Sequence, residues 1–279
     1  MTNMTSRNNI LVLNRERNDR QNACQNCMRR SQCPVFELSS SRLEEFARNS
    51  VVQKTTRQNQ YIFNAGDKFD GIYMVRSGFF KSYFIDTEGE MQVTGFHFPG
   101  EMFGIDGIET GFYSNTVEAL DTGSICKIPF SLFTQMQGAE TYRGSSGVSE
   151  RKQYYPQQNQ LMLSLVKIMS KVISRDRGLI FALGKMSARQ RFATFLMDIS
   201  QRMEASGFSK HEMRLCMSRI DMANYLGLAV ETVSRLFTLF QTMGVLDISR
   251  RDLKIFDMDA LQAIVNGEDR DEILLDKAS

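Results

Sequence analysis

Between Leu161 and Leu183 the apolar residues keep a period of 3.5, and few folds accept that. Leu161, Leu165, Ile168, Val172, Arg175, Leu179 and Ala182 step by 4, 3, 4, 3, 4, 3, and Met162, Val166, Met169, Ile173, Asp176, Ile180 and Leu183 repeat the rhythm one residue on. A heptad pattern held this long predicts one long helix with a coiled-coil seam against a second copy. The alternative is an amphipathic helix packed on its own domain. Asp176 interrupts the second stripe. Across a two-fold axis it would face its own copy, and at ~5–6 Å with an effective dielectric of about 20 the repulsion is roughly 3 kcal/mol before screening. That would make pairing conditional, whereas an Asp at the edge of the seam would be merely exposed.

From about Val51 to Phe130 the period is different. Short apolar runs (Tyr61–Phe63, Gly71–Val75, Phe79–Ile85, Met91–Phe98) alternate with turns, and glycines at 66, 78, 89 and 100 recur every eleven or twelve residues. That spacing predicts an antiparallel sandwich or jelly roll. The polar, glycine-rich stretch 138–156 reads as a flexible connector, and a short helix is expected over 39–49.

After about Met186 the pattern is helical again. Ser187 opens a helix with Phe192, Phe195, Leu196, Ile199 and Met203 on one face. Ser218-Arg219-Ile220-Asp221 is a capping-box-like start, S-x-x-D, for a helix through Leu226. Gly227-Leu228 turns the chain into a second helix, Val230 to about Thr242. Ile220, Ala223, Leu226, Leu228, Val233 and Leu236 would share the core of a helix-turn-helix, with Val245–Ile248 and Leu253–Phe256 as its wing. The second helix begins Val230-Glu231-Thr232-Val233-Ser234-Arg235. Glu231 and Arg235 share one face with Ser234 between them. A carboxylate accepts from cytosine N4 and a guanidinium donates to guanine O6 and N7, although the same pair could be a solvated salt bridge. Charge does not decide it, since residues 186–259 hold ten Lys plus Arg and nine Asp plus Glu.

Cys24, Cys27 and Cys33 follow C-x2-C-x5-C, a spacing that lets a loop wrap one metal or cluster. Arg29 and Arg30 would offset thiolate charge. Cys126, Cys216 and His97 are candidates for a fourth ligand, and structural zinc is the alternative to a cluster. Cys216, between Leu215 and Met217, reads as an inert core thiol. With two histidines and no Trp in 279 residues, His-based zinc enzymes and hydrolytic triads have little material. The net charge of +2 gives no whole-chain case for nucleic acid. No apolar run approaches the ~18 residues of a membrane span, and the polar start lacks a signal-peptide core, so a cytoplasmic protein is expected.

These motifs together resemble the fumarate and nitrate reduction regulators, oxygen-sensing members of the cyclic-AMP receptor protein superfamily. The likeness runs from about residue 22 to residue 260 and rests on the cysteine spacing, on Ser124-Ile125-Cys126-Lys127-Ile128-Pro129-Phe130, and on Val230–Arg235. The resemblance implies an α+β chain: a jelly-roll-like β-roll sensor, a long dimerisation helix and a C-terminal winged helix-turn-helix. It implies a [4Fe–4S] cluster on Cys24, Cys27, Cys33 and Cys126, which favours a homodimer that binds double-stranded DNA until oxygen destroys the cluster. Ile173 and Asp176 match the family's seam. The implied target is TTGAT-N4-ATCAA, with Glu231, Ser234 and Arg235 reading TTGA and Val230 near the thymine methyls. RNA polymerase is the implied partner. No catalysis is implied.

The sequence departs from the superfamily at three places. Cyclic-nucleotide-binding relatives carry a glutamate after the glycine equivalent to Gly104 and an Arg-Ser pair for the phosphate; here those places read Ile105, Asn115 and Thr116, so no cyclic nucleotide is expected. Ala229 stands where relatives carry a Ser or Thr cap, a loss of ~0.5–2 kcal/mol. The 138–156 stretch is longer than usual. The expected division is a tail 1–21, sensor and roll 22–137, connector 138–156, dimerisation helix 157–184, reader domain 185–260 and a C-terminal tail 261–279. Two other readings compete: a cyclic-nucleotide-responsive regulator with a structural metal at the cysteines, and a redox or zinc enzyme on a cupin-like roll.

Overall fold

The computed structural model describes residues 27–33, 52–130 and 156–268. The tail read at 1–21, Cys24, the helix read at 39–49 and the connector read at 138–156, apart from its last residue, lie outside them. Within Cys27–Cys33 a single 3-10 turn, Arg30–Gln32, is closed by the Gln32 N–H donating to the Arg29 carbonyl at 3.1 Å.

Strands β1 Val52–Thr56, β2 Tyr61–Phe63, β3 Ile72–Ser77, β4 Phe80–Ile85, β5 Met91–His97, β6 Met102–Phe103, β7 Thr116–Ala119 and β8 Gly123–Ile128 follow, with one helical turn, α1 Gly107–Thr110, before β7. They pair antiparallel in two four-stranded sheets, ordered β1-β8-β3-β6 and β2-β7-β4-β5. The four recurring glycines all take left-handed φ, from 80° at Gly78 to 92° at Gly100, which is where a turn needs a residue without Cβ. Between the sheets Phe63, Tyr73, Phe80, Phe103, Tyr113, Val117 and Ile125 are buried. Phe63 stacks on Tyr113 at 3.8 Å and Tyr73 on Phe103 at 5.4 Å between ring centroids. This is the expected β-roll.

The long helix, α2 Pro156–Lys185, separates the two heptad stripes. In the first, Leu165 is buried with Ile72, Met74, Met102 and Ile128 of the roll, Ala182 is buried, and Leu179 packs against the C-terminal core. The second leaves Met162, Val166, Ile173, Ile180 and Leu183 exposed, with Ile180 at 69%. Packing on its own chain therefore accounts for the first stripe. Of the second, Met169 packs partly against the same roll cluster, and the exposed members leave an apolar strip on the outer side of the helix.

Ser187 caps α3 Ala188–Ala205 with a full capping box to Gln190, and Phe192, Phe195, Leu196, Ile199 and Met203 are all buried as their spacing predicts. Then come β9 Glu212–Arg214, α4 Arg219–Leu226, α5 Val230–Thr242, β10 Leu246–Ser249, β11 Asp252–Ile255 and α6 Met258–Asn266. The wing hairpin carries a third strand, in the order β10-β11-β9. Two expectations need correction. Ile220 is 61% exposed, because α4 turns Met222, Ala223 and Leu226 inward instead. The reader domain does not give way to a tail at 261: Leu261 and Ile264 of α6 are buried in its core. Among the described residues no helix is long and apolar enough to cross a membrane.

Candidate functional site

Ser218 and Asp221 form the capping box that starts α4. Gly227, with φ 60°, ends that helix and donates to the Ala223 and Asn224 carbonyls. Val233, Leu236, Phe237 and Phe240 of α5 turn into the core, where Phe237 meets Phe192 edge-on at 4.7 Å. With the inner face fixed, Glu231, Ser234 and Arg235 are exposed together on the outer face, and Val230 is half-buried at its start. The Ser234 hydroxyl donates to the Val230 carbonyl at 3.0 Å. Ala229 supplies no side-chain cap.

The roll holds this reader through α4. Lys81 Nζ of β4 lies 2.8 Å from Asp221 Oδ1 and 3.5 Å from Glu118 Oε2. Burial pushes the Asp221 carboxyl up, and hydrogen bonds from Lys81 and Ser218 more than reverse this, leaving it below the ordinary range. Asn224 pairs with the edge of β5: its Oδ1 accepts from the Val93 N–H, its Nδ2 donates to the Met91 carbonyl, and its own carbonyl accepts from Gln92 Nε2 at 2.9 Å. A second junction gathers at Glu101. Arg202 of α3, 7% exposed, grips its carboxylate with Nε at 2.9 Å and Nη2 at 2.7 Å. Arg202 also donates to Asp198 and to the Phe96 carbonyl, and lies over the Phe98 ring. Arg175 of α2 reaches Glu101 at 3.0 Å. Burial alone would raise the Glu101 carboxyl; the two guanidiniums hold it down to about 2. Roll, long helix and reader thus meet on one carboxylate.

Cys27, Cys33 and Cys126 are each half-buried. Cys33 from the loop and Cys126 from β8 pack against one apolar cluster, the same that holds Leu165 of α2. Among the described residues no three His, Cys, Asp or Glu gather as a metal site, and Cys24 is not among them. Cys216 lies in the reader core, its thiol pushed up to about 12 by burial and by Asp121, as expected of an inert thiol. Arg29 feels the charge of Cys27 beside it, but its hydrogen bonds go elsewhere. Its guanidinium donates to the carbonyls of Arg76 and Ser206.

Beside Asn115, where the sequence lacks the expected arginine, a carboxylate collects the nearby donors. Asp106 Oδ2 accepts from the Ser114 N–H at 2.8 Å, the Ser114 hydroxyl at 2.7 Å, the Asn115 N–H at 3.2 Å and Asn115 Nδ2 at 3.3 Å. These donors are the kind that receive an anion, and Asp106 has them. The cavity beside it, about 170 Å³, runs past His97 and Asn115 to Arg175 and Asp176 of α2. His97 Nε2 lies 3.1 Å from Ser82 Oγ, and burial holds its pKa down to about 4. Sequence reasoning missed Asp106, which pairs with Ser114 8 residues on, and Glu101 and Arg202, which pair across 101 residues. The one available signal was an arginine on the apolar side of α3.

A β-roll bearing a docked helix-turn-helix, with the outer face of its second helix bare, defines a sensor-and-reader transcription regulator. Two family models match the chain, the cyclic nucleotide-binding domain over residues 53–139 and the Crp-like helix-turn-helix domain over 190–264. The transcriptional activator protein FnrA of Stutzerimonas stutzeri is 36% identical over 253 residues, 90% of this chain and 96% of its own. The fumarate and nitrate reduction regulatory protein of Salmonella typhi is 35% identical over 241 residues, 86% and 89% of the two chains. The structure of FixK2 from Bradyrhizobium japonicum superposes with a TM-score of 0.63 at 25% identity, covering 76% of this chain and 96% of that one. The chain belongs to the Crp/Fnr family, among the anaerobic (fumarate and nitrate reduction) regulators, and is a transcription regulator rather than an enzyme.

Proposed function

We propose that this chain switches transcription in response to oxygen through a [4Fe–4S] cluster on Cys24, Cys27, Cys33 and Cys126, acting as a cytoplasmic homodimer on double-stranded DNA and with RNA polymerase. The observation that carries the reading is the convergence of Cys33, Cys126 and Leu165 on one apolar cluster. It joins the cysteine loop, the end of the roll and the long helix. The donor set fits: thiolates are the ligands such a group takes, and half-buried sulfurs beside an apolar wall limit solvent access. When bound, the group supplies a centre that oxygen can dismantle.

The protein's own residues do the rest. Fixing the loop to Cys126 braces β8 against α2, and α2 presents Ile173 and Asp176 on its uncovered face. To move the monomer–dimer balance from 1:99 to 99:1 takes roughly 5.5 kcal/mol of differential binding. A dimer sets two copies of α5 about 34 Å apart, one DNA turn, so that Val230, Glu231, Ser234 and Arg235 read each half of a TTGAT-N4-ATCAA-like palindrome. The match to the cyclic nucleotide-binding domain favours a second reading, a nucleotide-responsive regulator with a structural metal at the cysteines. Ile105 and Asn115 oppose it, standing where a glutamate and an arginine are expected for such a ligand, and Asp106 places a negative charge on the neighbouring amides.

The test is the metal content of protein prepared without air. About four iron and four sulfide per chain support the proposal. One zinc, or no metal with a tight response to cyclic nucleotide, overturns it.

A further inference from the structure

The span between Cys27 and Cys33 reaches beyond the roll. Arg29 Nη1 donates to the Ser206 carbonyl, its Nε donates to the Arg76 carbonyl at 3.4 Å, and its guanidinium lies 5.5 Å from the Phe208 ring centre. Gln32 Nε2 donates to the Ala205 carbonyl at 2.6 Å. Ala205 and Ser206 end α3, the first helix of the reader domain. Carbonyls there have no partner within the helix, and the negative end of the helix dipole favours a cation. The roll closes tightly on this end of the helix. Ser206 Oγ donates to the Pro99 carbonyl at 2.8 Å, and a Cβ on the adjacent Gly100 would come within 1.8 Å of Gln32 Oε1.

We propose that Arg29 and Gln32 are positioning residues which fix the C-terminal end of α3, so that the state of the cysteine loop reaches the DNA-reading domain directly as well as through α2. This rests on the oxygen-sensing reading above. Both donors lie inside the five-residue span between two of the proposed ligands, so holding Cys27 and Cys33 at one centre also holds Arg29 and Gln32. The ties between roll and reader that use no residue of the loop, among them Glu101–Arg202, Lys81–Asp221 and Asn224 on the edge of β5, persist when it moves. The contacts of Arg29 and Gln32 are the ones that come and go with it. A guanidinium at the end of α3 therefore couples the sensor to the angle at which the reader is presented.

The experiment uses the full chain, prepared without air, as wild type, Arg29→Ala, Arg29→Lys and Gln32→Ala. Iron content, oligomeric state, operator affinity and amide hydrogen exchange over residues 203–208 are measured on each. Iron and dimer stay at wild-type levels, exchange over 203–208 quickens in Arg29→Ala, and operator affinity falls about tenfold, the scale of one hydrogen bond to a charged group. Arg29→Lys recovers most of the loss, since an ammonium can still meet a carbonyl at the helix end. Iron-loaded, dimeric Arg29→Ala that binds like wild type overturns the proposal, and so does loss of iron in that variant, which would put its role at the thiols. Wild type that holds no iron fails the reading beneath, and this one with it. Iron-holding wild type with an unchanged Arg29→Ala fails this inference alone.

Discussion

Lys81 on the roll and Asp221 on the first helix of the helix-turn-helix form a buried ion pair, 2.8 Å long, across the boundary between sensor and reader. Asp221 is also the third residue of its helix and closes the capping box with Ser218. One carboxylate therefore starts the helix and docks it. Lys81→Met leaves that carboxylate buried with only Ser218 to satisfy it, and removing one partner of a buried pair costs about 3–5 kcal/mol. Denaturant unfolding should show a loss at the lower end of this range, because Ser218 remains. Lys81→Met combined with Asp221→Asn, which keeps a cap acceptor, should recover part of it. Strictly additive losses would mean the two residues are not coupled.

His97 makes stability fall in mild acid. Its pKa is about 4 in the folded chain against an ordinary value near 6.5, so the unfolded chain binds the proton first. Its contribution is present above about pH 6.5 and is lost as pH falls through about 4. Unfolding midpoints measured between pH 7 and 4 should decline, and His97→Gln should flatten that decline. An unchanged slope would remove His97 as its source.

Asp176 stands in the exposed stripe of α2 next to Ile173 and Ile180. Burial raises its carboxyl and Arg175 beside it opposes the rise. If repulsion between two copies holds the dimer apart, Asp176→Ala should dimerise and bind DNA in air, by about the 3 kcal/mol of a close like-charge pair. Sedimentation of the variant in air decides it. A monomer would rule the repulsion out.

Arg235→Ala should lower operator affinity by about 1–3 kcal/mol and relax the choice of base at the guanine of TTGA. Binding to operators substituted at that position checks it. A weaker variant with undiminished selectivity would make Arg235 a phosphate contact.

What could be read in the sequence was whatever is local in the chain. The capping boxes at Ser187 and Ser218, the turn at Gly227, the left-handed glycines of the roll and the buried face of α3 are set by residues a few positions apart, and they formed as the spacing predicts. The two stripes of α2 looked alike in sequence. Only the roll and reader packing on one of them told them apart, since nothing between Leu165 and Val166 marks which faces inward. Ile220 has the right type for a core and the wrong angle around its helix. Glu101 with Arg175 and Arg202, and Asp106 with Ser114 and Asn115, are pairings across folded chain. A carboxylate filling an anion cradle looks, in sequence, like any other Asp near a glycine. The cysteine spacing was legible, and the convergence of Cys33 with Cys126 needed β8 in place.

Under the proposed function, the thiols decide whether two copies form on DNA. The most direct measurement follows mass and operator binding of wild type and Cys126→Ser, prepared without air and then aired. Wild type should be a coloured dimer that binds its palindrome and should become a colourless, non-binding monomer in air, while Cys126→Ser should be colourless and monomeric throughout. A Cys126→Ser protein that pairs and binds the operator as wild type does, with or without air, would contradict it.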